Sequence, residues 1–211
     1  MQERARTTRR RILEGAAVAI RRSGYANATL GEITDAAGVT AGALYFHFRS
    51  KEDVARALVD EQHRIVREAA AEILSVERPA ITQMMLLCED LARRLTDEEI
   101  VRAGVRLTTD SSIFSRPVTD PYLDWLELFT ELARAADANK ETNGEIPPEV
   151  LSRFIIPSFT GIQLVSETLT GRADLRGRVG EMWHVLVKAV SHTDRRVEFI
   201  DEADRIFGDT G

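Results

Sequence analysis

The chain has 211 residues, 44% hydrophobic and 29% charged, which supplies a packed core and a soluble surface. Stretches without Asp, Glu, Lys or Arg reach only 13 residues, at 36–48 and 154–166, too short to span a bilayer, and the N-terminus lacks the apolar segment that directs secretion. The net charge is −6 and the one cysteine, Cys88, has no partner for an intrachain disulfide, so a reducing cytoplasm is the expected location.

The first predicted helix covers about 3–23, with Ile12, Ala16 and Ile20 at i+4 spacing and arginines on the other side. Ser23-Gly24 ends it, and Tyr25 is expected to pack beneath the next two helices. Thr29-x-x-Glu32 is a capping box, with Leu30, Ile33, Ala36 and Ala37 on one helical face behind it. Gly38 readily takes the left-handed conformation of a helix end. Val39 and Thr40 complete a short turn, and Thr40 is a good cap for a second helix. Two short helices joined this way are a helix-turn-helix, whose second helix enters the DNA major groove. The alternative is a helical hairpin buried in an all-α core.

Charge supports the first option once the chain is divided. Residues 1–51 hold nine Lys/Arg against four acids, a balance of +5, while the remainder holds 19 against 30, or −11. A basic head on an acidic body can engage a polyanion with the head alone. In the head, Thr40 can cap its helix and reach a phosphate, while Gly42 and Ala43 let backbone approach the groove floor. Tyr45 and His47 offer donors to phosphate oxygens, with half-buried packing as the alternative for both. Lys51 adds charge at the next helix, and Thr29 sets another helix N-terminus near the DNA backbone. Leu44, Phe46 and Phe48 are assigned to the core.

Ser50-Lys-Glu-Asp53 begins a long helix to about residue 75, with an apolar stripe that Gln62 interrupts. Further helices are predicted near 79–95, 98–107, 119–138, 147–169, 175–192 and 197–207. Pro157 lies inside the fifth of these seven body helices and is expected to kink it. No run alternates with the period of a strand. The fold class is therefore all-α, with a helix-turn-helix domain over 1–48 and a larger helical domain over 49–211. Val150, Phe154, Ile155, Ile162 and Val165, then Val179, Met182, Trp183, Leu186 and Val190, give two helices wide apolar faces suited to a two-fold four-helix interface. A homodimer is expected, because one helix-turn-helix reads too few base pairs.

The stretch Gly38-Val-Thr-Ala-Gly-Ala-Leu-Tyr-Phe-His-Phe-Arg-Ser-Lys-Glu-Asp53 resembles the signature of the TetR family of transcriptional repressors. Val101-Arg-Ala-Gly-Val-Arg-Leu107, Pro121-Tyr-Leu-Asp-Trp125 and Gly180-Glu-Met-Trp183 resemble the γ-butyrolactone receptors of actinobacteria within it. The resemblance implies a three-helix DNA-binding head and a helical body that dimerises and binds a small apolar γ-butyrolactone or butenolide. It also implies release from double-stranded operator DNA when the ligand binds, and control of secondary metabolism. The tryptophan matching Trp125 lines the pocket in that subfamily. Gln62 and Thr160 are further candidates to hydrogen-bond a lactone, each with satisfaction by neighbouring backbone as the alternative. The acidic balance also resembles authentic receptors rather than antibiotic-sensing relatives. One departure is Ala41, where many members carry lysine. Alanine offers the bases only a small apolar contact, so the family operator should not transfer unchanged.

Two other functions compete. A drug-sensing repressor of an efflux pump would share the fold and differ in ligand. An all-α enzyme would need a constellation that is not evident: His63, His184 and His192 lack companions at metal spacing, and no cofactor is implied.

Overall fold

The computed structural model describes residues 2–109 and 113–208, with only the backbone of Gln2. The described residues form ten α-helices: α1 Gln2–Asn27, α2 Leu30–Ala37, α3 Ala41–His47, α4 Lys51–Leu74, α5 Ala80–Asp97, α6 Glu99–Thr109, α7 Asp120–Ala138, α8 Pro148–Thr170, α9 Leu175–Val190 and α10 Arg196–Phe207. A 3-10 turn at Thr193–Arg195 precedes α10. Among the described residues there is no strand, only an isolated antiparallel bridge between Thr142 and Ser191. No helix is long and apolar enough to cross a membrane. Helix ends fall within two residues of the sequence expectation except at the end of α1. There Gly24 leaves helical geometry (φ 75°, ψ 160°) as predicted, but the chain then makes one more turn, Ala28 N–H donating to the Gly24 carbonyl at 3.0 Å. Pro157 sits inside α8, which continues through it as one element to Thr170.

Contacts divide the chain into two compact units, Met1–Glu68 with Asp97–Thr119, and Ala69–Thr96 with Asp120–Gly211. In the first, Ile12, Leu13, Ala16 and Ile20 of α1 meet Ile33, Leu44 and Phe48 of the helix-turn-helix and Val54 and Leu58 of α4. Ile100, Ala103 and Leu107 of α6, followed by Phe114, complete the same core. Two glycines make this packing possible. A Cβ on Gly15 would lie 2.7 Å from the Ala37 backbone nitrogen, and one on Gly104 would collide with the Gln62 side chain. Glu52 on α4 accepts from the Ser115 hydroxyl at 2.8 Å and from Arg56 at 2.7 Å, while Arg56 also lies over the Phe114 ring.

The second unit is built on Met84, Met85, Leu95, Phe129, Ile155, Trp183 and Phe199, all essentially inaccessible. The amides of Ala80 and Ile81 donate to the buried Glu141 carboxylate at 3.0 and 2.9 Å. That carboxylate satisfies two of the four orphan donors in the first turn of α5, at the end where the helix dipole favours negative charge. Arg172 is buried at a left-handed φ of 72°, donating to Gln163 Oε1 at 3.0 Å and paired with Glu167 at 3.1 Å. The apolar faces expected to dimerise need correction. Ile155, Val179, Trp183, Leu186 and Val190 are buried inside this unit, whereas Phe154 and Val165 are half exposed. A helix with apolar residues over a wide arc has two faces to cover, and the tertiary packing has used one.

Candidate nucleic-acid interface and ligand-contact residues

Local capping chemistry shapes the helix-turn-helix as the sequence predicts. The Glu32 amide donates to Thr29 Oγ1 at 3.1 Å, and the Thr29 amide donates to Glu32 Oε2 at 2.8 Å. The Thr29 backbone N–H, helped by its hydroxyl, holds the Glu32 carboxyl below the usual carboxylate range. Gly38 is left-handed at φ 61°, and its successor's amide bonds back to the Thr34 carbonyl at 3.1 Å. Thr40 accepts from the Ala43 amide at 3.2 Å, leaving its own hydroxyl proton to donate outward.

Arg11, which the sequence reading did not single out, fastens the turn from α1. Its Nη2 donates to the carbonyls of Ala37 and Gly38 at 2.9 and 2.8 Å. The pairing is 26 and 27 residues distant in the chain, so no local pattern announces it.

Leu44 on α3 and Phe48 at its C-cap are buried as expected, but Phe46 is 80% exposed. The core assignment of Phe46 was wrong for a geometric reason. Positions 44 and 46 are two residues apart, and a helix turns about 100° per residue, so Phe46 points away from Leu44, while Phe48 turns inward from the extended C-cap. Tyr45 is 59% exposed. Ala41, Gly42, Thr29 and Thr40 are also exposed, and Ala43 and His47 half-buried. The His47 ring stands edge-on to Phe46, centroids 5.1 Å apart and planes at 87°. One short helix with its N-cap Thr40 therefore gathers the residues proposed at DNA, apart from Thr29 and Lys51.

Lys51 is placed differently from the other candidates. Its ammonium donates to the carbonyls of Tyr25, Ala26 and Ala28 at 2.8, 3.0 and 3.0 Å. It also lies 4.6 Å from the Tyr25 ring centroid. All three N–H donors are thus engaged at the end of α1, and a phosphate could be contacted only by exchanging one of them.

The ligand candidates fall in both units. Gln62 on α4 is 4% exposed, its stem against Gly104. Trp125 on α7 is half-buried, its ring 6.1 Å from that of Phe129 at 65°. Thr160 on α8 is half-buried and donates to the Ile156 carbonyl at 2.9 Å, which leaves its oxygen to accept. Burial pushes the Cys88 thiol up to about 12, the Trp183 side chain pulling the other way. Among the described residues no three His, Cys, Asp or Glu side chains come together as a metal site would require.

A capped helix-turn-helix on a basic head, joined to an apolar-cored helical body, defines a DNA-binding transcriptional regulator. Residues 12–58 match the sequence model of bacterial regulatory proteins of the tetR family, and residues 78–191 that of the tetracyclin repressor-like C-terminal domain. The chain belongs to the TetR family. It is 37% identical over 191 residues to the A-factor receptor protein of Streptomyces griseus, covering 90% of this chain and 66% of that protein. A crystal structure of a γ-butyrolactone receptor is 32% identical with a TM-score of 0.83, over 96% of this chain and 98% of the other. The TetR family protein CprB of Streptomyces coelicolor, solved with its biological operator sequence, is 31% identical with a TM-score of 0.85, over 98% of this chain and all of the other. The protein is a TetR-type transcriptional repressor related to the γ-butyrolactone receptors.

Proposed function

We propose that the protein works in the cytoplasm as a homodimer that represses genes of secondary metabolism and leaves its operator when a γ-butyrolactone or butenolide binds. The observation that carries this reading is end-to-end likeness to receptors of that class and to a relative solved on its operator. Residues 1–48 form the DNA-binding part, with Thr29, Thr40, Ala41, Gly42, Ala43, Tyr45 and His47 at the duplex. Residues 49–211 dimerise and bind the ligand, with Trp125 and Thr160 as its contacts. Trp125 supplies a flat apolar wall with one donor, and Thr160 a polar atom for a carbonyl or hydroxyl, while Gln62 is a separate candidate on α4.

Release follows from linkage. The ligand binds the DNA-incompetent conformation more tightly, and DNA must weaken ligand binding by the same factor. α4 begins at Lys51 beside the head and carries Gln62, so displacing it in both subunits alters the spacing of the two α3 helices. A coupling of about 1–3 kcal/mol gives roughly 5–150-fold in affinity. Operator binding is titrated with and without a synthetic γ-butyrolactone for the wild type and for Trp125→Ala. The expected result is release of the wild type and none of the variant, with ligand-free DNA affinity nearly equal. A variant released at the wild-type lactone concentration would remove Trp125 from the pocket.

A further inference from the structure

We infer that Phe46 is a specificity-determining residue that reads the 5-methyl group of thymine in the major groove. The inference rests on the operator-binding reading above. α3 is poor in base-reading side chains. None of its seven residues is Arg, Lys, Asn, Gln, Asp or Glu, the side chains that read purine and cytosine edges by directed hydrogen bonds. Its exposed surface is Ala41, Gly42, Tyr45 and Phe46. Thymine is the base whose major-groove edge presents an apolar group, so a helix with this surface is matched to it.

Phe46 is the largest apolar element of that surface, at 80% exposure. Long side chains on a helix lean toward its N-terminus over the residues three and four positions back. For Phe46 these are Ala43 and Gly42, neither bulky enough to block the ring. The N-terminal end is also the part of a recognition helix that meets base edges. The edge-on His47 ring, 5.1 Å away, restricts the orientation of the phenyl group. The alternation that misplaced this residue in the core is thus the arrangement that presents it outward.

The test uses the full chain and a duplex recovered with it from a random pool. Each thymine of the recovered site is replaced in turn by deoxyuridine, which removes the methyl and leaves the hydrogen-bonding edge intact. At one or two positions in each half-site, wild-type affinity is expected to fall about fourfold, the equivalent of one buried methylene. For Phe46→Ala the same replacements should have no effect, while its helical content and melting temperature match the wild type, since an exposed ring carries little of the fold. Indifference of the wild type to every uridine would overturn the inference. So would a uridine effect that persists unchanged in Phe46→Ala, or recovered sites without thymine. A chain that retains no duplex at all overturns the repressor reading and this inference with it, whereas binding without methyl sensitivity overturns the inference alone.

Discussion

One ammonium group closes the end of α1. Lys51 donates to three carbonyls there, between 2.8 and 3.0 Å, and hydrogen bonds with a charged partner contribute about 1.5–3 kcal/mol. Lys51→Ala is therefore expected to lower unfolding stability by about that much, measured by chemical denaturation. Operator titrations at several salt concentrations separate this role from phosphate contact. Losing one phosphate contact reduces the slope of log affinity against log salt by about 0.9, whereas losing a structural clamp leaves it unchanged. An unchanged denaturation midpoint with a reduced slope would reverse the assignment. Cys88 makes a second prediction at this scale. With its thiol pushed up to about 12 by burial, it should resist alkylation at neutral pH until the protein unfolds. The unfolded thiol ionises near ~8.5, so between that pH and about 12 the unfolded state holds fewer protons and stability falls as pH rises. Rapid labelling under native conditions would contradict the burial argument.

At the scale of the helix pair, closeness is limited by backbone. Gly15 lets α1 approach α2 so tightly that an added Cβ would sit 2.7 Å from Ala37 N and 2.8 Å from the Ile33 carbonyl oxygen. Those are main-chain atoms and cannot swing aside like the tip of a side chain. Gly15→Ala is expected to cost at least the ~1–3 kcal/mol typical of overpacking and to separate the helix-turn-helix from its support. Thermal unfolding and operator affinity should both decline. By contrast a Cβ on Gly31 of α2 would come no nearer than 3.8 Å, to Thr29 Oγ1, and Gly31→Ala should leave thermal stability unchanged or slightly raised, as helix propensity favours alanine by up to ~1 kcal/mol. Equal effects of the two substitutions would show that the close crossing carries no weight.

At the scale of the whole molecule, the outer face of α8 and α9 leaves apolar side chains outside the core. Phe154, Val165 and Val185 are 54%, 50% and 66% exposed and border one groove, with Gly161 and Met182 among its other residues. The proposed dimer covers this face. Val185→Glu should leave the fold intact, since the side chain is outside the core, and should shift the protein to monomer in sedimentation. Operator affinity should fall with it, because a symmetric dimer engages two half-sites and a monomer only one. A stable Val185→Glu dimer would move the interface elsewhere.

Helix positions, the two caps at Thr29 and Thr40 and the left-handed Gly38 were legible in the chain because each is settled within about four residues. Hydrogen bonds of a capping box and the 3.6-residue period need no distant partner. The basic head was legible for the same reason, as charge adds along the sequence. The outward orientation of Phe46 was encoded too, because a turn of about 100° per residue sets it on the side of α3 away from Leu44. What the sequence left undetermined was which partner each side chain would find. The α1 carbonyls on Lys51 lie 23–26 residues away, and the amides on Glu141 lie 60 and 61. Trp183 could equally have faced inward or outward by pattern, and tertiary packing put it inside. These outcomes depend on how helices cross, and crossing is decided by close-packed fit among residues remote in sequence.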